Sequence, residues 1–250
     1  MSRKPLAPAI RPMLLAAAEL PAVPDPSSEI TGAFPFGADS IAESARCVTS
    51  VMHQFAESLG NAIDAKDPHT SLHSDEVANM SRTLALALGL GERQGEIIHV
   101  AGHLHDIGKI GVPDAVLGKK GPLNTGEWVA IRRHPEAGAA ILRPVTSLCS
   151  LGIVRMVLHH HERFDGKGYP HGLRGMDIPI GARIIALADT VSAMLQNRPY
   201  RSAASFEITR REIVHCSGKQ FDPRVVEAFL RSEEEIRAMV ERTHGRSAAA

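Results

Sequence analysis

One stretch of this sequence organises the rest of the chain: Ala101-Gly102-His103-Leu104-His105-Asp106-Ile107-Gly108-Lys109. The adjacent His105 and Asp106 end a segment with helical periodicity, and Lys109 follows three residues later. Imidazole and carboxylate groups are ligands that zinc, iron and manganese accept. A lysine at i+3 shares a helix face with Asp106 and would place a positive charge beside an anion bound to the metal. The stretch therefore predicts a metal centre toward which more distant histidines and aspartates are folded.

The composition is that of a globular protein whose core is built from aliphatic residues. Of 250 residues, 44% are hydrophobic and 4% aromatic, which is enough for one medium domain. The 28 basic and 28 acidic residues balance, which argues against a protein that follows long nucleic acid by bulk charge. The three cysteines form no C-x-x-C motif and predict reduced thiols. Without an apolar run of membrane-spanning length or a secretory signal, we expect a cytoplasmic protein.

Changes in periodicity divide the chain into four parts. Residues 1–40 contain seven prolines and predict a flexible tail. Residues 41–66 carry apolar side chains spaced by four and three in turn: Ile41, Ala45, Val48, Met52, Phe55, Leu59 and Ala62. This stripe fits an amphipathic helix packed on its own domain and also a dimerisation helix joining two copies through residues 41–63. We predict the main domain over residues 67–235 and a C-terminal tail over 236–250.

Within residues 67–235 the pattern predicts helices and no strand, so the fold class is all-α. Apolar residues at helical spacing begin near His73, Glu92 and Thr125, and again near Leu151, Ile178, Ser205 and Pro223. Asn124 and Glu127 predict a capping box, and Pro135 fits the first turn of a restarted helix. Residues 108–126, rich in Gly, Pro, Asp and Lys, predict a loop.

Seven potential ligands fall on predicted buried faces of five helical segments: His73, His105, Asp106, His134, His160, His161 and Asp189. If they were buried separately, each would need its own hydrogen-bond partner. A single site satisfies all of them at once. Seven ligands exceed what one tetrahedral ion takes, and they suit two ions that share a carboxylate. Asp106 is the natural bridge because its two oxygens can face different ions.

This series resembles the HD domain superfamily, specifically the HD-GYP branch of bacterial cyclic di-GMP phosphodiesterases. The resembling stretches are HDIGKIGVPD (105–114), RHPE (133–136), HHERFDGKGYP (160–170), ARIIALAD (182–189), RPYR (198–201) and GKQFDP (218–223). The resemblance runs from about Asp67 to Leu230. It implies an HD-domain helical bundle with the C-terminal helical extension of HD-GYP proteins.

The resemblance also implies the chemistry. One ion would be held by His73, His105, Asp106 and Asp189, and the other by Asp106, His134, His160 and His161. Family members usually carry iron, sometimes manganese, in a di- or trinuclear centre, and His69 is a candidate ligand for a third ion. A hydroxide bridging the ions would cleave cyclic di-GMP to the linear dinucleotide pGpG, and a second step would give GMP. The catalytic residues would be Asp106 and Lys109, with Lys109, Arg198 and Arg201 binding the substrate phosphates.

Two further features bear on function. In the family, the Gly168-Tyr169-Pro170 loop helps shape the site and is linked to partners such as diguanylate cyclases. Ser192 stands where family members commonly have an aspartate associated with orienting the nucleophile, so its loss would lower turnover. The alternative function is a catalytically weak, metal-binding signalling module that docks such partners, and a third is a phosphohydrolase for other nucleotides. His103 and His159 match no metal position and are predicted to be structural.

Overall fold

The protein is seen here as a computed structural model that describes residues 38–67, 72–196 and 202–247. Within these ranges the regular structure is helical, apart from one isolated bridge between Ser217 and Phe221, so the predicted all-α class is confirmed. The chain divides into units 1–44 and 45–250. Of the first unit only residues 38–44 are described, as the start of a helix. None of the described helices has the length and apolar character needed to cross a bilayer.

Twelve α-helices and two short 3-10 helices occupy the described ranges. The α-helices are α1 (Ala38–Lys66), α2 (His73–Ala87), α3 (Glu92–Leu104), α4 (Asp114–Leu117), α5 (Thr125–Arg132), α6 (His134–Leu142), α7 (Thr146–Ser150), α8 (Ile153–His159), α9 (Ile180–Leu195), α10 (Phe206–His215), α11 (Pro223–Arg231) and α12 (Glu233–Ser247). The 3-10 helices are Ile107–Gly111 and Gly175–Asp177.

Helices α2 and α9 lie at the centre of the second unit, where they pack on each other. Helix α9 is apolar on nearly every side, as expected of a helix enclosed by others, and Ile184, Ile185 and Leu187 are fully buried. Helix α3 packs along α2 and also contacts α8. The central helices therefore bring the start of α2, the end of α3 and the middle of α9 toward one another.

Several local predictions are confirmed. Asn124 and Glu127 form the capping box of α5, and Pro135 lies in the first turn of α6. Others are wrong. Leu151 is 38% exposed because α8 begins only at Ile153, and residues 107–117 are two short helices where a continuous loop was expected.

Residues 236–250 are predicted above as a tail, but 236–247 belong to α12. Ile236 and Val240, four residues apart, are both buried, and α12 packs on α2. Three glutamates precede Ile236 and Glu241 and Arg242 follow Val240, and these charged neighbours hid the buried face from the periodicity. Burial of this apolar pair stabilises the packing of the helix on the domain.

Within the second unit, the buried face of α1 is not the predicted stripe. Ala56 and Ile63 are buried, whereas Met52 is 46% and Phe55 is 61% exposed. Leu59 is partly buried, and the side chains of residues 41–49 lie outside the described ones. As far as it is described, most of the stripe therefore faces away from the domain that carries it.

Candidate metal centre

The structure brings all seven predicted ligands to one place, chiefly through the ends of helices. His73 is the first residue of α2, and His105 and Asp106 follow directly after α3. His134 begins α6, His160 and His161 follow α8, and Asp189 lies within α9. Helix ends suit this purpose because the side chain there projects past the last turn into the space between helices.

Three of the histidines are oriented in the same way by the backbone. The Nδ1–H of His105, His134 and His160 donates to the carbonyl of the residue three positions earlier, at 2.7 Å in each case. A carbonyl can only accept, so Nδ1 carries the proton. In the neutral ring the lone pair then lies on Nε2. Fixing the ring through its other nitrogen is how proteins prepare a metal-ligating histidine.

The Asp106 carboxylate lies between two groups of imidazoles. Its Oδ1 is 3.2 Å from His134 Nε2 and 4.0 Å from His160 Nε2, and its Oδ2 is 3.3 Å from His105 Nε2. The Nε2 atoms of His134 and His160 are 3.2 Å apart. Each oxygen of one carboxylate thus faces a different group of nitrogens.

Two overlapping groups of ligand atoms result, and within each group the atoms lie within 4.8 Å of one another. One consists of His73, His105 and Asp106, and the other of Asp106, His134, His160 and His161. Asp189 belongs to neither group, although its Oδ1 is 3.2 Å from His73 Nε2. The other predicted site residues, His69, Arg198 and Arg201, lie outside the described residues.

The electrostatics of the site favour a bound cation. Burial raises the pKa of Asp106, but Lys109 and His105 outweigh it and hold the pKa well below the usual value. Burial lowers the pKa of His105, but the Asp106 carboxylate outweighs it and raises the pKa to about 9. The negative charge of Asp106, 3.3 Å from His105 Nε2, keeps His105 protonated, and a bound cation would take the place of that proton. Buried ionised carboxylates beside imidazole nitrogens fit a transition-metal ion.

Lys109 is held at the edge of the centre by two carboxylates. Its Nζ lies 2.7 Å from Asp106 Oδ2 and 3.1 Å from Asp67 Oδ2. Burial lowers the pKa of Lys109, but the two carboxylates more than offset this and raise it, so the ammonium stays charged. The preceding Gly108 permits this placement, because a Cβ there would lie 1.9 Å from His134 O.

A cavity of about 690 Å³ opens onto these residues. Its wall includes His73, Asp106, Lys109, His134, His161 and Asp189, and also three residues that sequence reasoning missed: Lys119, Lys120 and Trp128. Lys119 pairs with Glu127 at 2.6 Å, and Trp128 is 50% exposed. Two adjacent lysines in a Gly- and Pro-rich segment were a sequence signal for these cavity residues. Only the fold, however, shows that they lie near the ligands.

The Gly168-Tyr169-Pro170 loop forms another part of this wall. The Tyr169 ring stacks on His161, with ring centroids 4.8 Å apart, and the Tyr169 N–H donates to His161 O at 3.2 Å. A Cβ at Gly168 would lie 2.3 Å from the backbone nitrogen of Arg163, so only glycine fits. The Arg132 guanidinium lies 5.2 Å from the Tyr169 ring. Through Tyr169 the loop therefore lines the cavity beside the ligand His161.

Ser192 is fully buried behind His73 and belongs to a hydrogen-bond network. His73 Nδ1 lies 2.9 Å from Ser192 Oγ, which donates to Glu76 Oε2 at 2.6 Å. Gln196 and His244 also contact this carboxylate, at 3.1 Å and 2.8 Å. Ser192 gives its only proton to Glu76, so its oxygen accepts from His73 Nδ1–H. A carboxylate is therefore present behind position 192, contributed by α2.

This chain is similar to known proteins of one family. A family model described as HD domain matches residues 57–225. A cyclic di-GMP phosphodiesterase of Thermotoga maritima is 40% identical over 186 residues, which are 74% of this chain and 50% of that protein. A 3'3'-cGAMP-specific phosphodiesterase of Vibrio cholerae is 36% identical over 181 residues, covering 72% of this chain and 35% of the relative. The chain thus spans half or less of the length of these relatives.

The fold of this chain is similar to that of a solved structure. The crystal structure of a cyclic GMP-AMP-specific phosphodiesterase of Vibrio cholerae aligns with 76% of this chain and 49% of its own, with a TM-score of 0.57. Sequence identity over the aligned part is 19%. At that identity the match concerns the arrangement of helices.

Proposed function

The chain belongs to the HD-GYP group of the HD domain family, and from this premise we propose that it is a metal-dependent phosphodiesterase acting on cyclic di-GMP. The observation that carries the proposal is the Asp106 carboxylate shared between two ligand groups at the base of a cavity. The relative from Thermotoga maritima, named for this activity, supports the choice of substrate. The products would be pGpG and then GMP.

Two metal ions would be held by the two ligand groups, with Asp106 common to both and Asp189 completing the group of His73 and His105. Iron is our first choice and manganese the second, because imidazole and carboxylate together suit both. When bound, such ions lower the pKa of a water molecule to make a nucleophile near neutral pH and neutralise charge on the phosphate. His69, Arg198 and Arg201 stay as proposals for a third ion and for phosphate binding.

The protein's own side chains would orient the substrate and balance its charge. The Lys109 ammonium, held by Asp67 and Asp106, lies where it would stabilise negative charge on a scissile phosphate. Lys119 and Lys120, which also line the cavity, would attract the second phosphate of the cyclic dinucleotide. Trp128 offers an exposed ring on which a guanine base would stack. A basic wall with an aromatic platform matches a substrate made of two phosphates and two bases.

The network behind His73 argues for the enzyme over the catalytically weak signalling module. The module hypothesis depends on the aspartate that Ser192 replaces. Ser192 is nevertheless bonded to His73 and to the Glu76 carboxylate, so the ligand remains supported. Docking of a diguanylate cyclase at the Gly168-Tyr169-Pro170 loop is retained as a secondary role of the same enzyme.

A second substrate is favoured by one specific observation. The Vibrio cholerae relative is named as specific for 3'3'-cGAMP, which differs from cyclic di-GMP in one base. The cavity wall that would contact the bases, around Trp128, must distinguish the two. We therefore propose cyclic di-GMP as the main substrate and 3'3'-cGAMP as the competitor that any assay should include.

The proposed domain organisation extends the catalytic domain of residues 67–235 by the rest of α12, which packs on α2, and treats 41–66 as a dimerisation helix. The exposed Met52 and Phe55 support a helix that joins two copies through residues 41–63. Sedimentation at several protein concentrations tests this, and a monomer at every concentration would exclude it.

The deciding experiment measures metal content and hydrolysis together on the Asp106→Ala protein. The purified full chain is loaded anaerobically with iron and given cyclic di-GMP, 3'3'-cGAMP and a linear phosphodiester. We expect the wild type to hydrolyse cyclic di-GMP and Asp106→Ala to lose bound metal and activity together. Asp177→Ala, an exposed aspartate in the second 3-10 helix, is the matched control and should behave as wild type. No turnover of any cyclic dinucleotide by metal-replete wild type would refute the proposal.

A further inference from the structure

A second group of histidines lies away from the ligands described above. His99 and His103 are one turn apart on α3, and His53 reaches them from α1. The Nε2 atoms of His99 and His103 are 3.0 Å apart, and the His53 ring stacks on His99 with centroids separated by 4.6 Å. One nitrogen from each of the three rings lies within 4.8 Å of the others. One nitrogen from each of three imidazoles, carried by two helices, therefore lies close to the other two.

The polar atoms of this group are poorly satisfied by the protein alone. His99 and His103 are buried, their facing Nε2 atoms share one hydrogen bond, and His103 Nδ1 has no hydrogen-bond partner among the described residues. A buried polar atom without a partner costs free energy. Imidazoles with facing nitrogens are prepared for a cation between them.

Carboxylates lie behind the imidazoles. Asp75 Oδ1, on α2, is 3.5 Å from His103 Nδ1, and Glu96 Oε2, on α3, is 3.9 Å from His53 Nδ1. Glu96 also pairs with Arg82, at 2.6 Å. A carboxylate facing the outer nitrogen of a ligating histidine is the usual support for a zinc site. The Asp75 carboxylate also supplies negative charge beside the group.

We propose that His53, His99 and His103 form a second transition-metal site, of the zinc class, that fastens α1 to α2 and α3. Three imidazoles leave a fourth tetrahedral position for water or a carboxylate. The side chain of His53 is one-third exposed, which gives an ion a path from solvent. None of the three residues belongs to the ligand groups around Asp106. A bound ion would therefore strengthen the attachment of α1 to α2 and α3, and with it any dimer formed through α1.

Cobalt is the probe for this site because its visible absorption reports the ligands. The full chain is stripped of metal, titrated with Co²⁺ and compared with His53→Gln, using His215→Gln as the control. His215 is an exposed histidine on α10 that lies in none of the described histidine groups. The titrations are repeated in Asp106→Ala protein, in which the first centre is weakened. We expect His53→Gln to bind one equivalent of Co²⁺ fewer than wild type, and its melting temperature to lose part of the rise caused by Co²⁺.

His53→Cys keeps the proposal falsifiable if the glutamine variant folds poorly. A thiolate is a good ligand for the same ions, so this variant should recover the missing equivalent. It should also show a sulfur-to-cobalt charge-transfer band that the wild type lacks. Equal Co²⁺ binding by His53→Gln and His215→Gln, or a His53→Cys protein without that band, would overturn the proposal.

Discussion

Replacing Ser192 by alanine removes the link between the ligand His73 and the Glu76 carboxylate. The Nδ1–H of His73 would lose its acceptor at 2.9 Å, and Glu76 would lose its shortest donor, at 2.6 Å. Glu76 keeps Gln196 and His244, so the main loss falls on His73. A buried donor without a partner costs about 1–3 kcal/mol, and loss of such support typically lowers metal affinity by roughly 10- to 100-fold.

The assay for Ser192→Ala pairs urea unfolding with metal competition against a chelator. We expect the free energy of unfolding of the metal-free protein to fall by about 1–3 kcal/mol and the metal affinity to fall as well. Ser81→Ala is the matched control, because Ser81 is equally buried on α2 but its hydroxyl has no hydrogen-bond partner. Metal affinity that is the same in both variants would refute the support assigned to Ser192.

The same geometry changes what Ser192→Asp is expected to do. If the missing aspartate were the defect, as the sequence alone suggests, this substitution would raise activity. In the structure the new carboxylate would lie against the buried Glu76 carboxylate, and two such charges repel strongly at low dielectric. We therefore expect no gain in turnover and a loss of stability. A higher rate in Ser192→Asp protein would restore the view that the wild-type enzyme is impaired.

Two further substitutions test the substrate wall and the core. Trp128→Ala should raise KM for cyclic di-GMP by about 5- to 100-fold, since stacking contributes about 1–3 kcal/mol per base. Trp128→Phe should keep most of the binding. Equal KM values for wild type and Trp128→Ala in steady-state assays would argue against stacking. Asp222→Asn should destabilise the protein by about 3–5 kcal/mol, because it leaves the buried Arg183, now 2.5 Å from Asp222, without its charge partner. Urea unfolding measures this loss, and a change under 1 kcal/mol would refute the stabilising role assigned to the Arg183–Asp222 pair.

For α1, the sequence predicted the helix but not which of its faces is buried. Spacing alone predicted the helix, because a 3.6-residue repeat is a local property. It placed Met52 and Phe55 in a stripe that packs either on the domain or on a second copy, whereas Ala56 and Ile63 are the residues buried in this chain. Which face packs is decided by helices distant in the chain. The charged α12 escaped prediction for a related reason.

The metal centre was likewise predictable from the sequence only in part. The sequence by itself determined the candidate ligands and their order, because the His105-Asp106 pair and the histidines at helix ends are distinctive residue types at fixed spacing. Only the tertiary structure decided which atoms face each other: the two sides of Asp106, the Glu76 carboxylate behind Ser192, the lysines and Trp128 on the cavity wall, and the group around His53. These depend on distances between residues as many as 119 positions apart, and such distances are set by the packing of α2, α3 and α9, on which local periodicity carries no information.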